Sequence, residues 1–97
     1  MSKITQSARN QPCTVRLPFV CNRDDSTTVF AHLSGIRNGH GTGIKTNFGA
    51  YACSSCHDAL DGRVKSMHSK DYLKLVHLEA VIETMSILHD KGLVKIA

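Results

Sequence analysis

Four cysteines in a chain of 97 residues constrain the fold more than any other feature. A chain this short buries a smaller share of its surface than a larger protein does, so a covalent or metal staple contributes much of its stability. Aromatic anchors are scarce, with three Phe, two Tyr and no Trp. Cys13, Cys21, Cys53 and Cys56, with six histidines, are the alternative source of cohesion. In Cys53-Ser54-Ser55-Cys56, two residues separate the thiols, the spacing of a knuckle whose sulfurs both reach one tetrahedral ion at about 2.3 Å. Cys13 and Cys21, which enclose seven residues including Pro18, are the natural source of the other two ligands. The expected staple is a structural zinc held by Cys13, Cys21, Cys53 and Cys56.

Two other readings of the cysteines compete with zinc. An even count also suits a pair of disulfides, as in short secreted chains. Residues 1–10 carry no apolar run of signal-peptide length, and no stretch approaches the roughly 20 apolar residues of a membrane span. The expected setting is therefore the cytoplasm, with free thiols and no membrane association. Cys53-Ser54-Ser55-Cys56-His57 also fits the pattern of c-type haem attachment, which would leave Cys13 and Cys21 without a role.

Charge is uneven along the chain. The formal net charge is +4, and residues 1–48 hold six Lys or Arg against only Asp24 and Asp25, whereas residues 49–97 balance. A polyanion would meet the N-terminal half first, with Arg37 and Lys45 as candidate phosphate contacts. Solvated surface charge is the plainer reading.

Secondary-structure signals suggest one unit over residues 1–97. Residues 1–12 are polar and read as loosely structured. Thr27–Ala31 is β-branched and aromatic and reads as a short strand delivering His32. Five of the seven glycines fall in residues 35–49, marking a loop, and Ala50–Ala52 reads as a second strand entering the knuckle. Asp58–Asp61 suits a short helix stopped by Gly62. Lys70–Lys91 reads as a long helix with Ser69 as N-cap and Gly92 past its end. Glu79, Glu83, Ser86 and Asp90 share one face of it and apolar residues cover most of the rest, which calls for burial on two sides or for a homodimer through this helix. Leu93–Ile96 is a candidate terminal strand.

His57 and Asp61 are four apart, so on a helix they project from one face and can hold a divalent cation such as Mg2+, Mn2+ or Ni2+ beside a phosphate. His32 can take a proton from water near neutral pH, and Arg63 can clamp a phosphate oxygen. His40, His68, His77 and His89 stand outside this scheme, with His77 and His89 read as surface or packing residues of the long helix.

Strand, His32, Gly-rich loop, Cys-x2-Cys-His knuckle and short helix, in that order, resemble the HNH (ββα-metal) endonuclease superfamily. The resemblance implies that His32 is the general base, that His57 and Asp61 are ligands of the catalytic cation, and that Asn47 braces the loop. Many HNH enzymes place an acidic or His ligand immediately before the base, where this chain has Ala31. Ser-Lys-Ile-Thr-Gln-Ser-Ala-Arg at 2–9, Thr-Thr-Val-Phe-Ala-His-Leu at 27–33, Ala-Tyr-Ala-Cys-Ser-Ser-Cys-His-Asp at 50–58 and Asp-Gly-Arg at 61–63 are similar to YbcO-type nuclease candidates of lambda-like prophages. That likeness implies a zinc-binding nuclease of phage origin acting on DNA.

The expected architecture is α+β: a short β-ribbon with a zinc knuckle and ββα-metal motif, packed on a long C-terminal helix. The expected activity is metal-dependent hydrolysis of DNA phosphodiesters. The alternative is a zinc-stabilised DNA-binding or recombination accessory module whose nuclease site has decayed.

Overall fold

In the computed structural model, residues 3–33 and 48–94 are described. A short helix α1 (Lys3–Gln6) is followed by an irregular segment, strand β1 (Val29–His32), strand β2 (Gly49–Ala52), helix α2 (Ser54–Leu60) and the long helix α3 (Lys70–Asp90). β1 and β2 form a two-stranded antiparallel ribbon in which Phe30 faces Tyr51 and His32 faces Gly49. The architecture is α+β, as the sequence suggests.

Every residue of β2 is buried, because the strand lies between β1 and α3 and its small side chains let the helix approach. Gly49 is small for a further reason: a Cβ there would come within 2.6 Å of the Phe30 ring and 2.9 Å of the Ala31 carbonyl. The Tyr51 N–H donates to Thr84 Oγ1 at 3.1 Å, and its carbonyl accepts from the Thr14 N–H and hydroxyl at 2.7 and 2.9 Å. Thr14 and Thr84 also hydrogen-bond each other at 3.1 Å. Polar side chains and a loop, in place of a third strand, satisfy the Tyr51 backbone.

The core divides in two. One cluster gathers Cys13, Val15 and Leu17 with the ribbon alanines, the knuckle cysteines, Ala59, Ala80 and Val81. The other joins Ala8, Phe30, Tyr51 and Leu88. Residues 3–10, expected to be loose, instead form α1 and turns that bury Ala8 and bring the Ser7 hydroxyl to Tyr51 Oη at 2.7 Å. A buried tyrosine needs a partner for its hydroxyl, and Ser7 supplies it.

Helix α3 begins and ends where the sequence suggests. Ser69 Oγ accepts from the Tyr72 N–H at 3.1 Å. Gly92 has φ +75°, its N–H donates to the His89 carbonyl, and the Leu93 N–H reaches the Leu88 carbonyl, the paired bonds of a Schellman cap. That cap turns Leu93 and Val94 back onto the second core cluster. They form no strand, and Lys95 and Ile96 of the expected terminal strand lie outside the described residues. The buried face carries His77, Ala80, Val81, Thr84 and Leu88. Leu75, Leu78 and Ile82, by contrast, are 55%, 48% and 64% exposed, so within the described residues α3 is covered on one side. This open stripe is the face that the expected homodimer would use.

Candidate metal centre and active-site cleft

The knuckle sits at the start of α2. Cys53 is its N-cap, with Sγ accepting from the Cys56 N–H at 3.4 Å. The Arg16 N–H makes the same bond to Cys13 Sγ at 3.4 Å. Such N–H donors favour thiolate over thiol. Arg16 and Phe19 hold left-handed backbone conformations, φ 47° and 63°, and the chain between Cys13 and Cys21 curls so that both sulfurs meet the knuckle.

All four sulfurs lie within 4.8 Å of one another, and Cys21 and Cys53 are 3.8 Å apart. Zinc–sulfur bonds of about 2.3 Å in a tetrahedron separate sulfurs by roughly 3.8 Å, so the cluster has the dimensions of a four-Cys zinc site. Its electrostatics suit a cation. The hydrogen bond with Cys56 pulls the Cys13 thiol down to about 4. Sharing that bond pushes Cys56 up, and burial pushes Cys21 up. A divalent ion would offset the hydrogen-bond sharing and burial that hold these protons on. Cys53 and Cys56 have no exposed surface, so haem attachment at these sulfurs is sterically closed.

A second polar site lies at the open end of the ribbon. His32, the last residue of β1, packs edge-on against Phe30 with ring centroids 5.1 Å apart. On α2, His57 Nε2 lies 3.1 Å from Asp61 Oδ2. Cis ligands of an octahedral ion with bonds of about 2.1 Å are separated by roughly 3 Å, so this pair has the spacing and chemistry to hold a cation. A Schellman cap ends α2 through Gly62 at φ +75° and the bond from the Arg63 N–H to the Asp58 carbonyl. It folds Arg63 back so that its guanidinium reaches Asp61 at 3.3 Å and Asp58 at 3.5 Å.

His32 and Asp61 line one cleft of about 460 Å³, together with Leu73, Lys70, Lys74 and His77 from α3. His77 is 9% exposed, and its Nε2–H donates to the Ala31 carbonyl at 3.0 Å. Burial lowers its pKa below the ordinary histidine value, which favours the neutral ring. Ala31 is 2% exposed, so the position preceding His32 offers the cleft no side-chain ligand.

Of the residues singled out in the sequence, Cys13, Cys21, Cys53 and Cys56 come together, His57 meets Asp61, Asp61 shares a cleft with His32, and Arg63 lies on Asp61 and Asp58. Arg37, Lys45 and Asn47 lie outside the described residues. Sequence reasoning missed Lys70 and Lys74 and took His77 for an ordinary helix residue. The available signal was their spacing, i, i+4 and i+7, which puts all three on one stripe.

The family described as "Putative nuclease YbcO" matches residues 2–93. Proteins carrying that description in Escherichia coli K12 and in Enterobacteria phage 82 are each 36% identical to this chain, over 98% of it and 99% of their own length. A solved "putative bacteriophage protein" from Escherichia coli K-12 superposes with a TM-score of 0.72 at 34% identity, covering 91% of this chain and 98% of that one. With a family match over most of its length and two full-length relatives above a third identical, this chain belongs to the family described as "Putative nuclease YbcO", whose members occur in phage and bacteria.

Proposed function

We propose that this chain is an endonuclease that hydrolyses DNA phosphodiester bonds with the help of a divalent cation. One observation carries the reading: His32 and Asp61 open onto the same cleft while His57 stands 3.1 Å from Asp61. A general base and a cation site thus face one cavity, which hydrolysis of a phosphodiester requires.

His32 Nε2 or Nδ1 takes a proton from water as its oxygen attacks phosphorus. The P–O3′ bond breaks, and the leaving 3′-oxygen takes a proton from solvent, giving a 5′-phosphate and a 3′-hydroxyl. His57 and Asp61 would hold the cation, which supplies stabilisation of the charge developing on the phosphoryl and leaving oxygens. Arg63 is held on Asp61 and Asp58 with its side chain 63% exposed, so it is free to transfer to a phosphate oxygen, where a bidentate bond is strong. Arg37, Lys45 and Asn47 keep the roles the sequence suggests, two phosphate contacts and a loop brace.

The zinc site has a different task in this reading. It ties the Cys13–Cys21 loop to the start of α2 and thereby fixes the helix that carries His57 and Asp61. With the thiols reduced, the protein acts in the cytoplasm.

Ala31 favours a second reading, a DNA-binding accessory module whose nuclease site has decayed, because its buried side chain offers no third ligand. Cleavage assays decide between them. Zinc-loaded protein should nick or cut DNA with Mg2+, Mn2+ or Ni2+, and His32→Ala should not. No cleavage of duplex, nicked, branched or single-stranded DNA under any of these metals sinks the enzyme in favour of the module.

A further inference from the structure

The N-terminal third of α3 presents Lys70, Lys74 and His77 to the cleft that holds His32 and Asp61. His77 is occupied by the Ala31 carbonyl. The two lysines differ: both are exposed, and neither forms an ion pair among the described residues. Lys3, Arg9, Arg23, Lys65 and Lys91 are likewise without an ion pair among the described residues, but none of them lines this cleft. Two unpaired ammonium groups on one wall of a small cleft make it attractive to anions, and low-dielectric walls strengthen that attraction. One helical turn separates them by about 6 Å along the axis, comparable to the separation of neighbouring phosphates along a strand, and their four-carbon stems accommodate the mismatch.

We propose that Lys70 and Lys74 are phosphate-binding residues that carry the DNA backbone across the start of α3, next to the scissile phosphate held between His32 and Asp61. The inference rests on the proposed nuclease function and extends it. It gives the substrate a path over the start of α3, and it assigns the long helix a part in substrate binding as well as in the core. The lysines touch phosphates flanking the reacting one, so they contribute to binding and leave the chemical step to His32.

The test measures binding of a fluorescein-labelled DNA duplex as a function of salt, on the zinc-loaded His32→Ala protein so that cleavage does not intervene. Each phosphate contact in duplex DNA contributes roughly 0.9 to the slope of log affinity against log salt. Lys70→Gln and Lys74→Gln should each flatten the slope by about 1 and the double variant by about 2, with zinc content and melting temperature unchanged. Lys91→Gln, about 30 Å away at the other end of the helix, should leave the slope as it is. With His32 restored, the double variant should need more DNA for half-saturation yet keep its single-turnover rate at saturating DNA.

A double variant whose slope equals the parent's overturns the assignment, as does a Lys91→Gln protein that loses as much slope. In either case, if the unsubstituted protein, with His32 in place, still binds and cleaves DNA, the nuclease function survives and only the lysine path falls. An unsubstituted protein that neither binds nor cleaves DNA removes the function itself, and the lysine path with it.

Discussion

The two polar centres of this chain are built on opposite principles. At the cysteine cluster, four sulfurs converge, three of the four residues are buried, and backbone N–H groups point at the sulfurs. At the cleft, His57 and Asp61 offer two donors, their side chains are 27% and 40% exposed, and Arg63 leans on the carboxylate. At the first, four thiolates would fill the tetrahedral sphere of a zinc ion and leave no position for a substrate. In the proposed function the second, with two protein donors, would leave positions for water and phosphate, as catalytic metal sites do. One helix of seven residues joins them, with Cys53 as its cap and Asp61 at its end. The metal staple and the proposed reactive site would therefore be fixed by the same short element while failing independently.

That independence can be broken or sharpened experimentally, and the largest effect belongs to the staple. Apparent binding energies of structural zinc reach about 10–16 kcal/mol in zinc-finger peptides and are largely folding energy. Cys53→Ser, or a strong chelator, should abolish the cooperative thermal transition followed by circular dichroism. Retention of a sharp transition without zinc would mean that the core suffices alone.

His32→Ala should act on the other side of the comparison. General-base catalysis contributes typically 10²–10⁴-fold, so cleavage should fall by about that factor while melting temperature and zinc content hold. His57→Ala should lose cleavage together with catalytic-cation binding by isothermal calorimetry. A fall in stability in either variant matching that of Cys53→Ser would show that the two centres are one cooperative unit.

Thr84→Val probes the packing of α3 on the ribbon. The substitution preserves shape but strips the buried Tyr51 N–H and the Thr14 hydroxyl of a partner. The loss should be about 1–3 kcal/mol of unfolding free energy in urea, with zinc bound as before.

A pH effect should follow from His77. Its pKa in the folded chain is lowered by burial, so the unfolded state takes up the proton first as pH falls below about 6.5. The stability this group contributes is complete above that pH and is lost as pH drops toward the folded value. His77→Gln, whose amide can still donate to Ala31, should therefore lose less stability than the parent between pH 7 and pH 5.

The smallest change is expected at Arg16–Glu83. The two guanidinium bonds are 3.1 and 2.7 Å, but the side chains are 59% and 43% exposed. Solvent screening leaves such a pair worth about 1 kcal/mol or less, so Glu83→Gln should move the melting temperature little. A large shift would show that the guanidinium, and not only the Arg16 N–H on Cys13, shapes the metal loop.

Local chemistry in the sequence was readable where it is self-sufficient. The knuckle follows from the spacing of Cys53 and Cys56, the ends of α3 from Ser69 and Gly92, and the stop of α2 from Gly62. The pairing of Cys13 and Cys21 with the knuckle follows once zinc is assumed, since the chain has no other thiols. The buried face of α3 was not readable from hydrophobicity. Leu75, Leu78 and Ile82 are exposed while Thr84 and His77 are buried, because the ribbon presents the Tyr51 N–H and the Ala31 carbonyl to this helix. Polar backbone groups selected polar side chains there, and apolar periodicity carries no trace of that selection. The same blind spot hid Lys70 and Lys74, which are exposed helix residues until the third dimension puts His32 and Asp61 across the cleft from them.

The bond between Thr14 and Thr84 spans 70 residues of sequence, and Arg16 meets Glu83 across 67. These contacts set an order of events during synthesis. Cys13, Cys21, Cys53 and Cys56 can gather on a metal as soon as α2 has left the ribosome, but the ribbon remains without its cover until α3 follows. Contacts of such long reach are slow to form, since the loop must close before they stabilise anything. Over that interval an ion already bound to the cysteines would keep the two ends of the loop together, so metal supply would govern how long the nascent β2 strand waits with its edge open to other chains.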